Sequence, residues 1–92
     1  MDTTVVFELH IKTDFQDEEF VRREGSKRIG KRDYDEMERV KKEYENEFFE
    51  ELKDSNERNS GFIKLESNNK SIRFFNISRI SYFYVTANPK DY

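Results

Sequence analysis

The sequence predicts an α+β domain: a mostly antiparallel sheet of about four strands, in β-α-α-β-β-β order, with one long amphipathic helix packed on one face. Three observations predict it. Residues 4–12 alternate apolar and polar side chains. From Asp33 onward apolar residues recur at steps of three and four. Residues 62–85 read as two tight hairpins whose registers agree on one apolar face.

In the first stretch Val5, Phe7, Leu9 and Ile11 share one face, and Val6, Glu8, His10 and Lys12 the other, which defines a half-buried strand. This strand is expected to join the sheet at one of its edges. Residues 14–24 are expected to form a short helix, capped by Asp14, with Asp17, Glu18 and Glu19 at its positive end and Phe15, Phe20 and Val21 as anchors. Residues 25–32 hold two of the three glycines and read as a basic loop. Asp33 then opens the long helix, with Glu36 at capping-box spacing. Its apolar stripe is Met37, Val40, Tyr44, Phe48 and Leu52, widened by Tyr34 and Phe49, and Glu38–Lys42 is a favourable pair four residues apart. Asn56 to Gly61 ends the helix.

The last third is expected to be a three-stranded meander. Pairing Ser67 with Lys70 across Asn68-Asn69 sets Leu65 against Ile72 and Ile63 against Phe74. Pairing Ile77 with Ile80 across Ser78-Arg79 sets Phe74 against Phe83 and Ile72 against Val85. The opposite face then carries Phe62, Phe75, Tyr82 and Tyr84 with Lys64 and Arg73. Residues 88–92 are expected to be a loose tail.

Ninety-two residues make one domain, spanning residues 1–92. Charged residues are 40% of the chain and hydrophobic ones 34%, so nine Phe and five Tyr must supply much of the core. The net charge of −3 argues against bulk non-specific DNA binding. Without cysteine there is neither a disulfide nor a thiolate nucleophile, and one histidine excludes a multi-histidine metal site. No apolar run of about 18 residues occurs, and Met1-Asp2-Thr3-Thr4 does not open a secretion signal. The expected location is the cytoplasm.

Charge is unevenly spread. Residues 22–32 hold six basic residues, Arg22, Arg23, Lys27, Arg28, Lys31 and Arg32, against Glu24, a set suited to phosphate. Residues 33–58 hold eleven acidic and five basic residues, and Glu43, Glu47, Glu50 and Glu51 suit a basic partner surface. The opposing reading is that the two segments neutralise each other or are solvated faces. Gly25 to Lys31 has the first seven positions of a phosphate-binding loop, but Arg32 stands where a Ser or Thr must hold magnesium, so no nucleotide cofactor is expected. His10 reads as a hydrogen-bonded surface residue, and no Ser/His/Asp set accompanies it, so no catalytic residue, metal or other cofactor is assigned and the chain is expected not to be an enzyme. The aromatic and basic face, Phe62, Phe75, Tyr82, Tyr84, Lys64 and Arg73, suits the centre of a protein interface. It also suits base stacking and a self-interface in a homo-oligomer, and the opposing reading is that the short helix over residues 14–24 covers it within the chain.

In its whole-chain character the sequence resembles the small accessory proteins of Gram-positive phages and prophages. It is short, rich in Lys, Glu, Asn and Phe, free of cysteine, and closed by the segment from Phe62 to Phe74. Anti-CRISPR inhibitors are similar in size and acidity. The resemblance implies a non-enzymatic protein that binds a host, phage or defence protein as an inhibitor or regulator.

Overall fold

The computed structural model describes residues 2–14, 19–58 and 60–90. The chain is α+β, with one helix and antiparallel strand pairing throughout. The elements are β1 (Asp2–Thr13), β2 (Phe20–Gly30), α1 (Tyr34–Arg58), β3 (Phe62–Glu66), β4 (Ile72–Asn76), a 3₁₀ turn (Ile77–Arg79) and β5 (Ile80–Lys90). They form a three-stranded sheet of order β2-β1-β5 and a separate two-stranded sheet, β3-β4.

β1 behaves as its alternation predicts: Val5, Phe7, Leu9 and Ile11 are fully buried. It takes the centre of its sheet, however, not an edge. β2 replaces the expected helix over residues 20–24 and the expected basic loop over 25–30, while residues 15–18 lie outside the described ones. The reason is a β-bulge. Phe7 pairs with Gly25 but Glu8 with Arg23, which leaves Glu24 as an extra residue. Phe20 and Arg22 face inward before the bulge, and Lys27 and Ile29 after it, so no constant period of two runs along the strand. Gly25 fits closely here: a Cβ would lie 2.7 Å from the Tyr44 hydroxyl, so the Tyr44 ring would have to shift.

α1 forms as expected and is capped by Asp33, whose Oδ1 accepts the Glu36 N–H at 3.1 Å. Met37, Val40, Phe48 and Leu52 are buried and Tyr44 packs against them. Tyr34 and Phe49 do not widen the stripe; both are exposed. Glu38 pairs with Lys41 at 3.1 Å, not with Lys42. The helix lies on the inner face of the larger sheet. The Tyr44 ring meets Phe7 at 5.4 Å and Phe48 meets Phe83 edge-on at 5.0 Å between centroids. The hairpin closes one end of this core, where Phe75 packs edge-on against Phe20 at 5.2 Å.

The meander is not formed, for two local reasons. In the first hairpin the loop has three residues, not two. Ser67 donates its N–H to the Ser71 carbonyl (2.9 Å) and accepts from the Lys70 N–H (3.0 Å), with Lys70 left-handed at φ 64°. That is a type I turn closed by a one-residue bulge. The register slips by one, so Leu65 faces Arg73 and Ile63 faces Phe75. Every β4 side chain thereby changes face. Second, Asn76 turns the chain out of the ladder. Its side chain accepts from the Ser78 N–H (3.1 Å) and hydroxyl (2.8 Å), opening the 3₁₀ turn. β5 then pairs with β1, with Leu9 opposite Val85. Residues 88–90, expected in a loose tail, continue β5, and Thr3 bonds the Lys90 carbonyl at 2.8 Å.

Candidate protein-interaction surfaces

The register slip decides what the hairpin shows to solvent. Ile63, Leu65 and Phe75 face the core, while Phe62, Lys64, Glu66, Ile72 and Phe74 face outward. Phe62 is 48% exposed, Ile72 53% and Phe74 71%. A two-stranded sheet thus leaves three large apolar side chains open to solvent, with Lys64 opposite Phe74 and Glu66 opposite Ile72. A second apolar surface lies where α1 meets the start of β5. Phe49, Leu52, Ile77, Ile80, Tyr82 and Phe83 line a hollow of about 350 Å³ there.

The expected aromatic face is therefore dispersed. Phe75 is a core residue at 5% exposure, because the slip turned it inward. Phe62 and Lys64 stand on the outer hairpin face. Arg73 is exposed on the other side of β4, across a cleft from Glu19. Tyr82 and Tyr84 belong to the open face of the larger sheet. Sequence reasoning missed Ile72 and Phe74 as surface residues. Neither loop length carries its usual mark here, since Asn68-Asn69 lacks the glycine of a two-residue turn and Lys70 stands where a three-residue loop favours glycine.

On the open face of the larger sheet, His10 is the centre of a bonded network. Its ring stacks on Tyr84 at 4.8 Å, its Nδ1 lies 3.2 Å from Glu19 and its Nε2 3.1 Å from the Thr86 hydroxyl. Tyr84 donates to both Glu19 oxygens at 3.1 Å, and Tyr82 stacks on Tyr84 at 6.0 Å. Partial burial first, and the Glu19 carboxylate second, raise the Tyr84 phenol above its ordinary pKa. Asn88 ties Glu8 to the same face at 3.2 Å.

The charged segments partly neutralise each other. Arg22 lies over the Phe48 ring at 5.8 Å and bonds Glu24 (2.8 Å) and Glu51 (3.4 Å). Desolvation lowers its pKa, but the bonds to Glu24 and Glu51 outweigh this and hold it above the ordinary arginine value. Glu43 is held by Arg39, which also bonds Glu36. Of the four carboxylates assigned to a partner, Glu47 and Glu50 remain exposed and without an ion pair among the described residues. The six basic residues do not converge. Alternation along β2 sends Arg22 and Lys27 to the helix side and Arg23 and Arg28 to the other, and Lys31 and Arg32 sit in the turn before α1. No phosphate cradle results from them. Among the described residues no group of three or more His, Cys, Asp or Glu side chains could hold a metal ion, and no helix is long and apolar enough to cross a membrane.

No protein-family model, curated protein or solved structure matches the chain.

Proposed function

We propose that the chain is a small non-enzymatic protein-binding module, of the kind phages encode as inhibitors or regulators that mask a partner protein's surface. The observation that carries this reading is the outward face of the β3–β4 hairpin. Large apolar side chains at Phe62, Ile72 and Phe74 stay about half exposed or more although burial in a core would stabilise them. Large exposed apolar side chains set among charges, here with Lys64 opposite Phe74 and Glu66 opposite Ile72, suit a contact site. Glu47 and Glu50 on α1 supply a negative field that steers a basic partner. The test is capture of partners from a bacterial lysate by the tagged chain, beside the double variant Phe62→Ala, Phe74→Ala, with and without nuclease. The expected result is a protein retained after nuclease and lost with the variant. A partner kept equally by the variant would remove the hairpin face from the account.

A second reading is favoured by the stacked rings of Tyr82, Tyr84 and His10, since Tyr82 is 50% exposed and offers a free ring face to a base. Glu8 and Glu19 on the same face oppose a phosphate backbone. This nucleic-acid reading requires an affinity that falls steeply with added salt, and salt-insensitive binding would exclude it.

A further inference from the structure

We infer that β4 is a self-pairing edge, through which two copies of the chain join antiparallel about a two-fold axis at Phe74. This deepens the protein-binding reading, since the same hairpin carries both surfaces, but it stands on observations of its own.

The first is the direction of the backbone groups. At one end of the hairpin the Ser67 N–H donates to Ser71, and at the other the Ile77 N–H donates to the Gly61 carbonyl at 2.8 Å. Between them Leu65 pairs with Arg73 and Ile63 with Phe75. The odd-numbered residues of β4 therefore bond inward to β3. Ile72, Phe74 and Asn76 alternate with them and send their N–H groups outward. Among the described residues nothing bonds the outward groups of Ile72 or Phe74.

The second is the contrast with the other edges. On β2 the Arg23 N–H is taken by the Asn68 side chain, and Lys27 and Arg28 charge the strand. On β5 the Val85 N–H donates to Glu45 of α1 at 3.4 Å. Pro89, four residues on and so on the same side of the ladder, has no N–H to offer. β3 lies against α1. Charge, proline and cover are the devices that keep a strand edge from templating another chain. Among the described residues β4 has neither proline nor cover, its one charge is Arg73, and its outward positions Ile72 and Phe74 are apolar.

The third is the fit of β4 to itself. Outward groups can pair only with outward groups, so even-numbered residues oppose even-numbered residues. Centred on Phe74, the pairing sets Phe74 opposite Phe74 of the second copy with two bonds exchanged, Ile72 opposite Asn76, and Arg73 opposite Phe75. Like charges do not meet, whereas centring on Arg73 would oppose two guanidinium groups. Charge also selects this surface. The chain carries −3 overall, but β3 and β4 hold Lys64 and Arg73 against Glu66 alone, so two copies approach here with least repulsion. β4 is five residues long, so the contact falls below the roughly 1,600 Å² of a standard stable interface. The dimer is therefore weak and concentration-dependent.

The test is sedimentation of the purified full chain, without any partner, from about 10 µM to about 1 mM. Monomer should give way to dimer, and hydrogen exchange at the Phe74 amide should slow as concentration rises while that at Phe75 stays constant. Phe74→Lys places two ammonium groups opposite each other and should weaken dimerisation at least about tenfold without altering the unfolding midpoint. Phe62→Lys, on the same face but the other strand, should leave dimerisation unchanged. A monomer at every concentration overturns the inference, and so does Phe62→Lys dispersing the dimer as well as Phe74→Lys, which would mean that the faces stack. Neither result bears on lysate capture, so self-pairing and partner masking fail separately.

Discussion

The three-stranded sheet and the β3–β4 hairpin are made of similar strands but are finished differently. In the sheet, β1 is flanked on both sides, its apolar face is sealed by α1, and the outer N–H groups of Arg23 and Val85 are met by side chains. Even its open face is bonded to itself through His10, Glu19, Tyr84 and Thr86. The hairpin buries Ile63, Leu65 and Phe75 and leaves Phe62, Ile72 and Phe74 outside. Two strands alone are marginal in water, so the hairpin is held by its inner face, and its outer face is free to serve a contact. Side chains that hold the fold and side chains left to solvent thus sit next to each other along a single strand.

The largest effect that would break this comparison comes from two adjacent residues. Phe75→Ala should cost about 3–5 kcal/mol, because it opens a cavity against Phe20. Phe74→Ala should change stability by no more than about 0.5 kcal/mol, as an exposed side chain does. Chemical denaturation of both variants measures this directly. A reversed order would favour the two-residue turn and its register, with Phe74 turned inward, over the pairing of Ile63 with Phe75.

Inside the sheet the next effect is at Gly25. Gly25→Ala drives a methyl group to within 2.7 Å of the Tyr44 hydroxyl, which is held by the packing of its ring on Phe7. The expected loss is about 1–3 kcal/mol. Tyr44→Phe in the same chain should recover most of it, since the clash is with the oxygen. An equal loss in both backgrounds would place the cost in the bulge itself and not in the approach of β2 to α1.

Legibility follows how locally each element is determined. β1 and α1 declare themselves because one period runs unbroken through each, and Asp33 marks where the helix begins. β2 hides because the extra residue Glu24 breaks its alternation and because its pairing with β1, not its own glycines and charges, makes it a strand. The hairpin is legible, but its register depends on whether Lys70 adopts a left-handed conformation, which no residue type there announces. That one residue moved the candidate site from Phe75 to Phe74 and Ile72. The departure of β5 depends on the Asn76–Ser78 turn and on a strand some seventy residues earlier, so a local reading of Ile77 to Ile80 returns a hairpin.

The smallest effect concerns the open face of the sheet and sharpens its contrast with the hairpin. Partial burial and the bond to Glu19 raise the Tyr84 phenol above the ordinary value of 10.0, and Tyr44 is raised in the same direction by burial and then by Glu47, Glu24 and Glu43. A group whose pKa is higher in the folded chain holds its proton better there than in the unfolded chain. Its contribution is therefore complete below pH 10 and is lost as pH rises through the raised value. Tyr84→Phe keeps a ring to stack on His10 and Tyr82 while removing both the titrating group and its bond to Glu19. The variant should lose less stability than the parent between pH of about 9 and about 11, read as the shift of the unfolding midpoint across that range. An identical alkaline loss in both would mean that the Tyr84–Glu19 contact is not held in solution. The sheet's open face would then be as available to a partner as the face of the hairpin.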